Sequence, residues 1–433
     1  MAVEFRQMLA FRAHGMMRRE TLIGSLALLL ASAPFFMPAV LAAAPATPQA
    51  PQTRAEALRQ QRLRKGMDLR PPERNVVERG LYGFREHRVL ERYQAGYRGF
   101  HPMFGGLSTG SGFALGTIFQ KDDIARGALS FSVSGQASFK AYQKYEMNFA
   151  APHLAGDRLF VAFNFRYRSS PQEDYFGIGA ASLEDNRTSF LQEDAQYTVS
   201  LGVRPARRLA LGTRAGYLRN NTGPGTDGRF LSIEQVFTEA TAPALERQPS
   251  YAFVGAFAEY DSRDQPANPR SGGFYRVEGA YYDDRDFASF SFQRWDVELQ
   301  RYFPFFNERR VIAVRSRLQT TDANGGQRVP FFLLPVLGGS EDLRGFREFR
   351  FRDSNSLIVN LEYRWEVFSG MDMALFGDAG DVVADINDLA VGDFKTSYGF
   401  GFRFNTSKSV FLRLDFGFGR EGPRTFIKFN HVF

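Results

Sequence analysis

The sequence predicts an all-β fold: a sixteen-stranded antiparallel transmembrane β-barrel with a long extracellular loop folded into its lumen. Three observations lead there. From Gly99 onward apolar residues recur at every second position, in segments of roughly ten residues separated by turn clusters, the length a tilted strand needs to cross a bilayer. The chain holds 45 Phe, 17 Tyr and 41 Gly yet has a mean hydropathy of −0.31, which is what alternating lipid-facing and water-facing residues produce. No apolar run long enough for a membrane-spanning helix follows the N-terminal region.

Residues 1–43 read as a signal peptide. Arg18 and Arg19 form a basic start after Met16 and Met17, which are alternative initiation sites; Leu22 to Val40 is apolar, and small residues follow Leu41. The competing reading is a retained membrane anchor, against which Pro34 and Pro38 interrupt the apolar stretch. Residues 44–98 read as a periplasmic N-terminal tail. Ala44 to Pro51 is linker-like, and helix formers occur at Ala55–Arg64 and Val76–Tyr93. The tail is either loosely ordered or a helix that enters the lumen and covers Leu81, Phe84 and Leu90.

Residues 99–433 form the expected barrel, with strands near 99–107, 112–120, 127–138, 140–151, 157–169, 188–203, 207–219, 249–261, 272–284, 288–302, 308–321, 355–367, 371–381, 395–405, 408–418 and 423–433. The faces are clearest toward the C-terminus. Leu361, Tyr363 and Trp365 alternate with Asn360, Glu362 and Arg364. Phe400 and Phe402 alternate with Gly399, Gly401 and Arg403; Leu412, Leu414 and Phe416 alternate with Arg413, Asp415 and Gly417. A charge on the lipid side near the midplane costs about 2–4 kcal/mol, so the charged rows are expected inside. Connections at 205–206, 303–307, 368–370 and 406–407 are short, and those at 170–187, 220–248, 322–354 and 382–394 are long. Short turns belong on the periplasmic side, which places Phe433 there.

The candidate site is Leu343-Arg344-Gly345-Phe346, inside the long 322–354 connection. Gly345 is expected to supply an unusual backbone conformation beside the arginine. The wall partners are Phe376, Asp378 and Gly380 on one strand, and Ser397 and Gly399 on the next. Small inward residues leave a groove through which Arg344 reaches Asp378; at ~4 Å and an effective dielectric near 20 the gross attraction is about 4 kcal/mol. The second candidate is the seam where 99–107 must pair with 423–433, marked by Pro102, Phe104, Phe429 and Phe433. Pro102 lacks a ladder donor and Gly105 and Gly106 weaken the first strand, so this pairing is expected to be the weakest.

Taken in order, Leu337-Gly-Gly-Ser-x-x-Leu-Arg-Gly-Phe346, Asn360-Leu-Glu-Tyr-Arg364, Phe376-Gly-Asp-Ala-Gly380, Ser397-Tyr-Gly-Phe-Gly401 and a terminal Phe resemble the BamA/TamA-type outer-membrane surface antigen superfamily. Asp261-Ser-Arg-Asp264 with Pro269 and Gly272, and Glu173 to Gly179, are similar to further signatures of that family. The resemblance covers about residues 99–433. It implies sixteen strands, an Arg-Gly-Phe loop tucked inside, and Arg344 paired with Asp378 near Ser397 and Gly399. Residues 45–97 are too short and too basic for even one polypeptide-transport-associated domain, so the chain resembles the barrel-only members.

The implied role is insertion or translocation of polypeptides (or lipids) into or across the outer membrane. Implied partners are outer-membrane lipid, unfolded polypeptide substrates, and the cell's barrel-assembly machinery, which would recognise the C-terminal strand. The alternative is a passive pore favouring anions through inward Arg315, Arg317, Arg364, Arg403 and Arg413. Enzymatic activity is not expected: His14, His87, His101, His153 and His431 fall in no nucleophile arrangement, and no phosphate loop or metal-ligand spacing occurs. No cofactor is expected. The absence of Cys removes disulfides. The net charge of +7 is spread along strands rather than gathered into a patch, so no nucleic-acid partner is expected.

Overall fold

In a computed structural model of the protein the described residues are 58–59, 61–63, 96–105, 107–108, 110–368, 370–406 and 409–429. The expected signal peptide, nearly all of the expected tail, and Phe433 lie outside them. Residues 58–59 and 61–63 are helical.

The strands are β1 (Phe100–Gly105), β2 (Ala114–Ile124), β3 (Leu129–Ser138), β4 (Gln143–Leu154), β5 (Leu159–Tyr175), β6 (Thr188–Ala206), β7 (Leu209–Pro224), β8 (Tyr251–Asp261), β9 (Gly272–Asp284), β10 (Phe292–Phe305), β11 (Arg310–Ala323), β12 (Val336–Leu337), β13 (Phe351–Arg352), β14 (Asn355–Phe368), β15 (Met371–Val383), β16 (Lys395–Asn405), β17 (Val410–Gly419) and β18 (Gly422–Phe429). Sixteen of them form one sheet in which sequence neighbours pair antiparallel, with β11 joined directly to β14. β12 and β13 form a separate two-stranded ribbon inside the β11–β14 connection.

Each segment expected as a strand is one, and the strands expected at 157–169, 188–203 and 207–219 run further, to Tyr175, Ala206 and Pro224. In β5 the extension runs past Pro171, which has no N–H to give a ladder. The strand passes it through a register shift between Ser170 and Glu173, a bulge that leaves Pro171 unpaired and lets the ladder resume.

The two faces of the sheet differ in kind. Leu361, Leu375, Tyr398, Val254 and Ile427 are 51–69 % exposed on one face. Glu362, Asp415, Arg413 and Arg403 on the other are at most 1 % exposed. A water-soluble sheet has the reverse arrangement. An exposed apolar face and a buried charged face are what a lipid solvent selects.

At the long-loop end an apolar core forms on the charged side of the sheet. Tyr175, Phe190, Tyr251, Phe253, Tyr282 and Phe292 from the strands pack with Ile233, Phe331 and Phe332 from the connections. The connections are bonded to each other: Phe331 N donates to Pro243 O at 2.9 Å, and Arg328 donates to the carbonyls of Glu239 and Ala240 at 2.9 and 2.5 Å. Tyr175 Oη donates to Thr241 O at 2.8 Å.

The exposed apolar face can be tested by one charge. Leu361→Arg is expected to lower the unfolding free energy by about 2–4 kcal/mol in lipid vesicles, the cost of a lipid-facing charge near the midplane. Urea titration of the reconstituted protein measures it. A change within about 0.5 kcal/mol would be the behaviour of a residue exposed to water.

Candidate functional site

The site is laid out by cross-strand register. Asn360 on β14 lies opposite Asp378 on β15, which lies opposite Ser397 on β16. The next row is Glu362, Phe376, Gly399 and Gly417, and the one after it Arg364, Ala374, Gly401 and Asp415. All project to the charged side, because each row is two residues from the last.

Arg344, from the β12–β13 connection, enters these rows. Its Nε and Nη2 donate to Asp378 Oδ2 and Oδ1 at 3.0 and 2.5 Å, and its backbone N–H donates to Oδ2 at 3.2 Å. Nη1 donates to Glu362 Oε1. The guanidinium lies 3.6 Å from the Phe376 ring centroid. Asp378 also accepts from Asn360 Nδ2 at 2.8 Å and Ser397 Oγ at 3.0 Å. Such a fork-to-fork pair is available to arginine and not to lysine.

The charge cluster extends beyond the expected partners. Glu362 accepts from Arg364 Nε at 2.6 Å and Arg403 Nη2 at 2.9 Å; Asp415 accepts from Arg403 Nη1 at 2.6 Å and Arg413 Nε at 2.5 Å. Wall residues hold the loop backbone in return. Arg413 Nη2 donates to Ser340 O at 2.9 Å, Arg315 Nη1 to Glu341 O at 2.7 Å, and Asn360 Nδ2 to Asp342 O at 2.8 Å. Sequence reasoning placed Glu362, Arg403, Arg413 and Asp415 on the inner face but not in the site. Their parity with Asp378 was readable; which rows the loop would reach was not.

Leu343 and Phe346 are fully buried in an apolar cluster with Leu337, Phe351, Ile358 and Val382. Gly345 does not occupy the left-handed region; in this loop Gly338 and Gly339 do, at φ 118° and 99°. Gly345 is needed for space. A Cβ there would lie 2.6 Å from Gly419 N and 2.7 Å from Ser397 Cβ. Likewise a Cβ on Gly417 would lie 1.9 Å from Arg344 O, and one on Gly399 would lie 2.5 Å from the Phe376 ring. Gly380 is not brought to the loop: its Cβ would meet Leu357 O on β14, at 2.4 Å.

The Asp261–Gly272 signature also has a geometry. Arg263 pairs with Asp261 at 2.7 Å, and Gly272 at φ 87° packs where a Cβ would lie 2.0 Å from Ser262 O. From this β8–β9 turn Arg270 reaches Asp372 on β15 at 2.9 Å, and Ala267 O accepts from Val410 N on β17 at 3.2 Å.

At the seam, Pro102 sits in the β1–β2 ladder opposite Thr117. Phe113 lies between Phe104 and Phe429, at ring-centroid distances of 6.2 and 6.4 Å. The expected pairing of the first strand with 423–433 is not seen between the described parts of β1 and β18, Phe100–Gly105 and Gly422–Phe429. The edges approach at Gly105, where a Cβ would lie 3.5 Å from Phe429 Cβ.

The Omp85 superfamily domain matches residues 126–431. The chain belongs to the Omp85 superfamily. As an Omp85 barrel it is a bacterial outer-membrane protein. Among solved structures it is similar to BamA from Haemophilus ducreyi lacking POTRA domains 1–3, at 15 % identity and TM-score 0.53, covering 77 % of this chain and 68 % of that one. It is also similar to CdiB from Escherichia coli, at 13 % identity and TM-score 0.51, covering 76 % of this chain and 61 % of that one. The Omp85 chain thus spans less than two thirds of the CdiB chain's length, and at these identities the likeness is one of fold. No curated protein matches it.

Removing the Arg344 side chain leaves Asp378 and Glu362 buried without it. Arg344→Ala is expected to destabilise the barrel by about 3–5 kcal/mol, with Arg344→Lys recovering only part, read from urea unfolding in vesicles. A second test uses pH. Burial pushes the Asp342 carboxyl up to about 6, against the pull of Arg315 and Arg317. Unfolded, it ionises near the usual value of about 3.9. Between these two values the native protein holds a proton that the unfolded chain has lost, so this group's contribution to stability falls as pH rises from 4 to 6. Asp342→Asn is expected to flatten the stability–pH curve in that window.

Proposed function

We propose that this Omp85 barrel assists insertion or translocation of polypeptides (or lipids) at the outer membrane. The route is the seam between β1 and β18, and the Leu343–Phe346 loop, set within the lumen, locks the wall beside it. The observation that carries this reading is the build of β1. It is six residues long, contains Pro102, and ends on Gly105 at φ 135°. Whatever closes against it, a six-residue strand with one missing donor offers a short ladder. The neighbouring arc, β14–β17, is by contrast held by Arg344 and by the β8–β9 turn. The C-terminal strand would be read by the barrel-assembly machinery during this protein's own biogenesis.

A passive anion-favouring pore is the second reading. Its arginines face carboxylates: Arg315 pairs with Glu298 at 2.8 Å, Arg317 with Asp296 at 2.6 Å, Arg364 with Glu362, and Arg403 and Arg413 with Asp415. Paired guanidinia make a weak anion filter, which favours the first reading.

The Cβ spacing at Gly105 and Phe429 falls in the range for a disulfide, and the chain has no native Cys. Gly105→Cys/Phe429→Cys, oxidised in liposomes, is expected to block insertion of a client barrel and to recover it on reduction. Full activity in the crosslinked protein sinks the seam mechanism. Conductance of the same liposomes, with and without Arg344→Ala, reads out the pore alternative.

A further inference from the structure

We propose that the short-turn end of β10, β11 and β14 carries a binding site for an anionic glycerophospholipid headgroup. Arg301 lies in the outward row of β10, in parity with Trp295, Leu299 and Phe303, while Glu298 and Tyr302 point to the charged side. It is therefore a guanidinium on the lipid face. Its head does not extend toward the bilayer centre but folds toward the short-turn end, with Cζ 5.5 Å from the Phe303 ring centroid. Arg310, at the start of β11, stacks at 4.8 Å on Phe306. Phe303 and Phe306 are 43 % and 69 % exposed, and both arginines are exposed.

The shelf around them is aromatic. Arg310 pairs across the ladder with Trp365, which stacks on Tyr363 at 5.4 Å. Aromatic belts with flanking arginines sit at the level of lipid headgroups, where a ring accepts the interface and the cation snorkels to it. On the charged side, by contrast, the neighbouring arginines of β11 have carboxylate partners, Arg315 with Glu298 and Arg317 with Asp296. Among the described residues neither Arg301 nor Arg310 forms an ion pair. No carboxylate among the described residues supplies their counter-charge, and at this rim the anion at hand is a phosphodiester. Short turns of outer-membrane barrels face the periplasm, so the lipid belongs to that leaflet.

The site is tested with the full chain reconstituted in phosphatidylcholine bilayers, measuring by electron paramagnetic resonance how spin-labelled phosphatidylglycerol and spin-labelled phosphatidylcholine partition to the barrel perimeter. The native protein is expected to prefer phosphatidylglycerol by about twofold or more, since each interfacial arginine adds attraction to an anionic lipid. Arg301→Gln/Arg310→Gln is expected to bring the ratio to unity, and Arg301→Lys/Arg310→Lys to keep the preference. Arg285→Gln, an exposed position at the long-loop end whose guanidinium already pairs with Asp283 at 2.7 Å, is expected to leave it unchanged. A ratio of unity for the native protein, an undiminished preference in the double Gln variant, or its loss in Arg285→Gln overturns the proposal. If the double Gln variant does not reach the folded, heat-modifiable form, Arg301→Gln and Arg310→Gln singly carry the test, each expected to lower the ratio.

Discussion

The site depends on one charge kept out of water. Moving an ammonium- or carboxylate-sized ion into protein costs several kcal/mol even after relaxation. Arg344, 1 % exposed, avoids that cost only by satisfying its donors, and it does so with two carboxylates and an aromatic face. Each carboxylate then has its own demand. Asp378 is completed by Asn360 and Ser397, and Glu362 by Arg364 and Arg403. Two glycines follow from the same requirement, because a Cβ at 345 or 417 would push loop and wall apart, and a third, Gly399, leaves room for the Phe376 ring on which the guanidinium lies. What looks in the sequence like several separate motifs is one constraint expressed on five segments of chain.

That constraint explains which parts of the molecule were legible beforehand. Alternation is local: a residue's face is settled by its parity within one strand, so the charged rows of β14, β16 and β17 could be read without knowing the neighbours. Register and reach are not local. That Asn360, Asp378 and Ser397 share a row requires the exact pairing of three strands, and the lengths of two turns set it. Gly345 shows the same limit. A glycine beside an arginine suggests backbone freedom, but here the chain needed the missing side-chain volume, which only the approach of Gly419 and Ser397 reveals. Gly380 was placed with the site because it lies in the same motif as Asp378, and its own contacts are with Leu357 and Ile358. β5 was expected to end at 169, and the bulge that carries its ladder past Pro171 is a non-local feature.

The turn from β8 to β9 adds a second attachment of the same chemical type. Arg270 meets Asp372 on the strand that also carries Asp378, six residues away. One strand therefore takes an arginine from the long-loop side and another from the short-turn side. Both partners are buried carboxylates, at 5 % and 0 % side-chain exposure, so each pair is far less screened by salt than a surface bridge. Two such attachments on β15 resist displacement of that strand along its own axis, which a single attachment would not.

The distribution of charge gives the arrangement its direction. On the inner face, guanidinia and carboxylates are interleaved so closely that four arginines share Glu362, Asp378 and Asp415. An interior so internally compensated has little field left over with which to select a small ion, and much enthalpy invested in its own geometry. A wall built that way is suited to holding shape while something happens at its edge. The edge at hand is β1, where six residues, a proline and a terminal glycine replace the long ladders of β5 to β7. Buried ion pairs tie β14 to β17 through Arg344 and its neighbours, while the strand at the sheet's end has a short ladder with little to break, and that asymmetry is what a route through the seam requires.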